Sequence, residues 1–216
     1  MLDQPRLTLH HFPGACSGVS LCALEGARLD YEVKLVNLAA GEQTDPAYLR
    51  LSSLGKVPLL LIDGAPLSEN AAILTYIAAL RPEAGLFPAD PSPRARAEAV
   101  GGLSFCGGTL HPIVRGMANP QRLTDGDGEA VRSKSTALAR KSFGYADRRL
   151  TDRGWWLGER SIVDVYLHWA FTVACNAGFD AAPFPALAAM EDRLADMPGF
   201  AAMQEANRKA RAELGL

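Results

Sequence analysis

Within the first forty residues, two strand-like alternations flank one helical repeat, and that order admits few folds. RLTLHHF (6–12) places Leu7, Leu9 and His11 on one face, and YEVKLVNL (31–38) does the same with Tyr31, Val33 and Leu35, so both are expected as half-buried strands. Between them, CSGVSLCALEGARLD carries Val19, Cys22, Ala23 and Ala27 at helical spacing. Two strands and a helix within about thirty residues make a βαβ unit, because parallel partners need a crossover of that length.

The pattern continues with a less regular stretch, DPAYLRLSSLG, and then VPLLLIDGAPLSE, where two short apolar runs flank Asp63-Gly64. Asp-Gly tolerates the positive φ angles of a type I′ turn, so an antiparallel hairpin is expected. SENAAILTYIAAL opens with Ser68 as an N-cap and sets Ile73, Tyr76, Ile77 and Leu80 at three- and four-residue spacing. The Pro-rich segment RPEAGLFPADPSPRARAE follows, and after it almost everything reads as helix, over 94–117, 129–150, 162–177, 184–195 and 199–213. The expected organisation is a compact α/β domain over 1–80, a linker at 81–91 and an all-helical domain over 92–216.

Composition narrows the function classes. A 48% hydrophobic and 21% charged chain of 216 residues with a net charge of −2 is that of a soluble globular protein, with no apolar run of bilayer length and no basic stripe for nucleic acid. The N-terminus lacks the basic segment and apolar core of a secretory signal, so a cytoplasmic location is expected. Cysteines at 16, 22, 106 and 175 form neither a CxxC pair nor a zinc-type cluster with histidine, so reduced thiols and no metal are expected. TDGDGEAV (124–131) superficially has a calcium-loop look but lacks oxygen ligands at the needed spacing, and reads as a turn before a helix. His168 has no Cys, Asp or His partner at ligand spacing, and Trp155 and Trp156 read as packing residues.

Cys16 stands apart from the other cysteines. It follows the Pro13-Gly14 turn and immediately precedes a helix, whose N-terminus offers unpaired N–H groups and partial positive charge that lower a thiol's pKa. Position alone leaves two readings open, a packed small hydrophobe or a stabilised thiolate. Val57-Pro58 begins a strand, where a cis bond would present the Val57 backbone to a ligand, although trans is commoner for X-Pro bonds. Glu69 and Asn70 follow Ser68 in a first helical turn suited to a carboxylate, or form an ordinary capped helix.

PGACS, GKVP and SENAAI, in that order, resemble the N-terminal domain of the cytosolic glutathione transferases, most closely the bacterial beta class, and the helical second half fits the same plan. The resemblance implies a thioredoxin-like first domain, glutathione as cosubstrate and a homodimer. It also implies a cis Val57-Pro58 bond, with the Val57 backbone pairing with the cysteinyl part of glutathione, and Glu69 and Asn70 at the γ-glutamyl end. Cys16 matches the family's signature cysteine, which lies beside glutathione or forms a mixed disulfide with it. TLHPIVRGM (109–117) is similar to the helix in which relatives set a histidine facing that cysteine, giving His111 a place near the thiolate. SIVDVYLHW (161–169) looks like the family's capping box, in which Ser161 and Asp164 close the start of a central helix.

The chain departs from the family pattern at four places. Asn70 stands where relatives have Ser, His10 and His11 where they have Tyr, Lys56 where they have Gln, and the neutral LAAG where many have Lys. Lys56 is expected to pair with the glycyl carboxylate. With Val19 in place of a second cysteine, thiol–disulfide chemistry needs an external thiol. Three functions remain open: conjugation of glutathione to a small hydrophobic electrophile, glutathione-dependent disulfide reduction or conjugate cleavage, and ligand binding without catalysis.

Overall fold

The computed structural model describes residues 4–216, so the first three residues of the expected first domain lie outside the described part. The chain divides into two compact units, one made of Met1–Leu86 with Asp196–Leu216 and the other of Phe87–Ala195. The division at Leu86–Phe87 falls inside the 81–91 segment, and the last stretch, Asp196–Leu216, groups with the sheet unit rather than with the helical one. Its helix returns to the sheet unit, a connection that periodicity along the chain does not register.

In the first unit a four-stranded mixed sheet has the order β2-β1-β3-β4, with β1 (Leu7–His11) parallel to β2 (Tyr31–Leu35) and antiparallel to β3 (Leu59–Ile62), and β4 (Ala65–Ser68) antiparallel to β3. The strand β1 was expected to be half-buried, yet every residue of it is buried. It is an inner strand covered on both faces, whereas the edge strand β2 leaves Glu32, Val33 and Lys34 exposed. Asp63 and Gly64 both take positive φ, 51° and 88°, and form the expected tight hairpin.

Helix α1 (Ser17–Gly26) is buried from Ser17 to Leu24, because it packs against β1, α3 (Asn70–Leu80) and the C-terminal helix of the same unit. Short α2 (Pro46–Leu49) covers a second apolar group around Ala15, Val36, Tyr48, Val57 and Leu59. Ser68 does not cap α3 as expected; it ends β4, and Glu69 occupies the cap position at φ 73°, ψ 125° with no side-chain cap bond. Two glycines explain how tightly the C-terminal segment fits: a Cβ on Gly26 would lie 2.8 Å from the Pro198 carbonyl oxygen, and one on Gly199, at φ 84°, would overlap the Cys22 carbonyl.

The second unit contains α4 (Pro93–Ser104), α5 (His111–Ala118), α6 (Gly128–Arg153), α7 (Ile162–Asn176), α8 (Pro185–Ala188) and α9 (Met190–Leu194); α10 (Phe200–Glu213) completes the first. The single helix expected over 94–117 is interrupted by a π-helical turn, Phe105–Leu110, immediately before Pro112. Proline lacks the N–H for the bond to residue 108 and its ring crowds that carbonyl, so the ladder widens there. Asp127 caps α6 through the Glu129 N–H at 2.9 Å, which makes TDGDGEAV the start of a helix. Ser161 and Asp164 form the expected capping box on α7, and both are fully buried.

Candidate active site

The site is built where β1 ends and α1 begins. Pro13-Gly14 turns the chain with Gly14 at φ 83°, Ala15 N–H donates to the Phe12 carbonyl at 3.1 Å, and Cys16 becomes the residue before α1. Its side chain is 5% exposed, and its Sγ lies 3.7 Å from the Val57 carbonyl oxygen. Val57-Pro58 is cis. Thus two separate motifs, PGACS and GKVP, meet at one sulfur atom and one backbone carbonyl.

Lys56, just before, is fixed by its backbone rather than by its exposed side chain. Its carbonyl accepts from Tyr48 Oη at 2.8 Å and Ser52 Oγ at 3.2 Å, and its N–H donates to Ser52 Oγ at 3.3 Å. That pinning holds the loop from which Val57 approaches Cys16.

Asn70 departs from the expectation. Its side chain is not presented to a carboxylate: Nδ2 donates to the Cys16 carbonyl at 2.9 Å, and Oδ1 accepts from Ser20 Oγ at 2.6 Å. Position 70 opens α3 on the side packed against α1, so the amide closes the gap between the two helices and is 4% exposed. The group it leaves for a ligand is its backbone N–H, one of the first-turn donors without a helical acceptor. Asn70→Ala strands the buried Ser20 hydroxyl and removes the tie to Cys16, although Val19 N–H at 3.1 Å still donates to that carbonyl. A loss of about 2 kcal/mol is expected from two buried hydrogen bonds, read as a lower urea midpoint; a loss under about 0.5 kcal/mol would show the amide to be idle.

Glu69, exposed beside it, keeps its left-handed backbone in a residue with a Cβ. Such a conformation costs about 1–3 kcal/mol and is held by the elements around it, here the β4–α3 connection.

The other cysteines differ from Cys16 in their surroundings. Burial, with Glu25 adding to it, pushes the Cys22 thiol up to about 12, and burial also raises Cys106 and Cys175. They remain thiols at neutral pH.

Residues 5–79 match the family described as the N-terminal domain of glutathione S-transferase. Glutathione S-transferase GST-4.5 of Xanthomonas campestris is 35% identical over 202 residues, which cover 92% of this chain and 98% of that protein. The chain belongs to the glutathione transferase family. Maleylacetoacetate isomerase of Pseudomonas aeruginosa is 32% identical over 191 residues, 86% of this chain and 88% of its own. A solved sphingomonad glutathione S-transferase complexed with glutathione is 31% identical and superposes with a TM-score of 0.81, over 93% of this chain and 98% of that one.

In this glutathione transferase family member, His111 belongs to the second unit, at the start of α5. Its Nδ1 lies 3.5 Å from Tyr166 Oη, its ring meets Trp169 edge-on at 4.7 Å, and Tyr166 and Trp169 are 5.7 Å apart. Gly107, in the π-helical turn, leaves room for the Tyr166 hydroxyl, which a Cβ there would approach to 3.3 Å. Sequence reasoning named His111 but neither aromatic partner; Tyr166 and Trp169 lie five and eight residues into the capping-box motif, where helical spacing marks them only as packing. Among the described residues no group of three His, Cys, Asp or Glu side chains is arranged to hold a metal, and no helix is long and apolar enough to cross a membrane.

His10 and His11 are both buried. The His10 ring packs 5.4 Å from Tyr48, while His11 joins a hydrogen-bonded group with Ser17 and Asn207 that sequence reasoning missed. Asn207 lies far along the chain in a polar helix, so no local signal marks it.

Proposed function

We propose that this chain is a glutathione-dependent transferase whose reactive protein group is Cys16. The observation that carries the reading is the contact of Cys16 Sγ with the Val57 carbonyl at the start of α1, in a chain that belongs to the glutathione transferase family. Ser17, the adjacent hydroxyl, is fully buried and occupied by His11 and Phe12, so it is not free to serve a ligand in place of Cys16.

In this reading the Val57 backbone pairs with the cysteinyl part of glutathione, and the Asn70 N–H and Glu69 carboxylate take the α-carboxylate and α-ammonium of its γ-glutamyl end. Lys56 meets the glycyl carboxylate. The helix N-terminus then favours a thiolate at either sulfur. In conjugation, the glutathione thiolate attacks an electrophilic carbon and expels a halide. In thiol transfer, the Cys16 thiolate attacks the glutathione sulfur of a mixed disulfide and releases the other thiolate. A second glutathione thiolate then attacks the Cys16-bound sulfur, giving oxidised glutathione and free Cys16. The family resemblance supports a homodimer acting in the cytoplasm without a metal.

A second reading comes from the Pseudomonas relative, whose name makes it an isomerase of maleylacetoacetate. Calorimetric titration with glutathione, followed by assays with an aryl halide, a mixed disulfide and maleylacetoacetate, separates these. Glutathione binding at micromolar to millimolar Kd with turnover of the aryl halide or the mixed disulfide is expected. Binding without any turnover makes the chain a ligand-binding protein, turnover of maleylacetoacetate alone makes it an isomerase, and absence of glutathione binding removes the proposal.

A further inference from the structure

We infer that Asn207, on the C-terminal helix α10, is a positioning residue for Cys16 that acts through the Phe12–Cys16 loop; this rests on the reading of Cys16 as the reactive group. Asn207 Oδ1 accepts from His11 Nε2 at 3.1 Å and from Gly14 N–H at 3.3 Å. With the His11 proton on Nε2, Nδ1 is free to accept from Ser17 Oγ at 2.8 Å, and the Ser17 oxygen accepts from Phe12 N–H at 3.2 Å. One amide oxygen therefore sets the His11 tautomer, the Ser17 hydroxyl and the Gly14 backbone together. His11 is 1% exposed and Ser17 is 0% exposed, so neither can exchange its partner for water.

The helix brings Asn207 to this point without slack. Backbone contact at Gly26 with Pro198, and at Gly199 with Cys22, anchors the entry to α10. Gly18 has no side chain to oppose the amide, whose Nδ2 would lie 3.4 Å from a Cβ there. The loop is thus held from two sides, by Asn70 of α3 on the Cys16 carbonyl and by Asn207 of α10 on the Gly14 N–H. Burial lowers the His11 pKa to about 4, against the Asn207 bond that raises it, so the ring stays neutral between pH 5.5 and 9.5 as the pattern requires. Arg211 also faces this turn, its Nη1 3.9 Å from where a Cβ on Gly14 would lie. Removing the Asn207 oxygen takes away its bonds to Gly14 N–H and His11 Nε2 and loosens the turn that leads into Cys16.

The test is the alkylation rate of Cys16 by iodoacetamide, read peptide by peptide by mass spectrometry from pH 5.5 to 9.5 on the full chain without glutathione. The plateau at high pH reports access to the sulfur, and the midpoint reports how well the thiolate is held. In Asn207→Leu the midpoint is expected to rise by about half a unit, roughly threefold less thiolate below the midpoint. Asn207→Ala, which adds no bulk, is expected to show the same rise and carries the test if leucine is not accommodated. Ala210→Gly, which weakens the same helix at a buried position one turn beyond Asn207 and removes no hydrogen bond to the loop, is expected to lower the melting temperature with the midpoint unmoved. A midpoint unchanged in the Asn207 variants, or raised equally by Ala210→Gly, overturns the inference. Because no glutathione is present, that result is independent of whether the chain binds it.

Discussion

Cys16→Ala is expected to lower glutathione-dependent reduction of a mixed disulfide by at least about a hundredfold, since the substitution deletes the atom that carries the covalent intermediate. Conjugation of an aryl halide is expected to fall by no more than about tenfold, because there the attacking sulfur is that of glutathione and the Val57 backbone and α1 N-terminus remain. The substitution is structurally mild. The thiol's contact with the Val57 oxygen is 3.7 Å long and sulfur is a weak donor, so the folded state should lose about 1 kcal/mol. Initial rates with the two substrates, at saturating glutathione, decide the matter. Equal collapse of both activities would mean that Cys16 also holds the glutathione thiolate, and an undiminished disulfide rate would remove Cys16 from the chemistry.

Asp164→Ala is expected to destabilise the second unit by about 3–5 kcal/mol. The carboxylate is fully buried and accepts from Trp156 N–H at 2.8 Å, from Ser161 N–H at 2.8 Å and from Ser161 Oγ at 2.9 Å. Burial pushes its pKa up while those donors, and Arg193 at longer range, pull it down. Without the carboxylate, two backbone donors are stranded in the interior, and the Trp155–Arg160 loop loses its tie to α7. Trp156 is carried with that loop, and it stacks on Phe105 at 4.8 Å and holds Arg149 over its face at 4.9 Å. All three tryptophans, 155, 156 and 169, lie in this unit, so fluorescence during urea unfolding reads it directly. A midpoint shift equivalent to less than about 1 kcal/mol would contradict the role assigned to the box.

Much of the architecture is legible in local pattern. Asp63-Gly64 encodes its hairpin because two positive φ angles are cheap for those residues, and Ser161 with Asp164 encodes its own cap because both partners lie within one helical turn. Burial along β1 is not legible in this way. The alternation of Leu7, Leu9 and His11 records one covered face, while the other is buried too, with His10 packed on Tyr48 of α2, which is distant in the chain. Pro112 marks a disturbance in the helix before it, but the widened turn that makes room for Tyr166 depends on where α7 runs.

The same division runs through the site. The sequence by itself determined that Cys16 sits at the entrance to a helix, that Val57 precedes a proline, and that Glu69 and Asn70 open another helix, since each is a statement about neighbours in the chain. Only the tertiary structure decided that the Asn70 amide is spent on Cys16 and Ser20, leaving its backbone N–H for a ligand, and that Asn207, 191 residues after Cys16, closes the other side of the loop. The physical reason is that a buried polar group must find its partner wherever packing places one, and packing joins residues without regard to their distance along the chain.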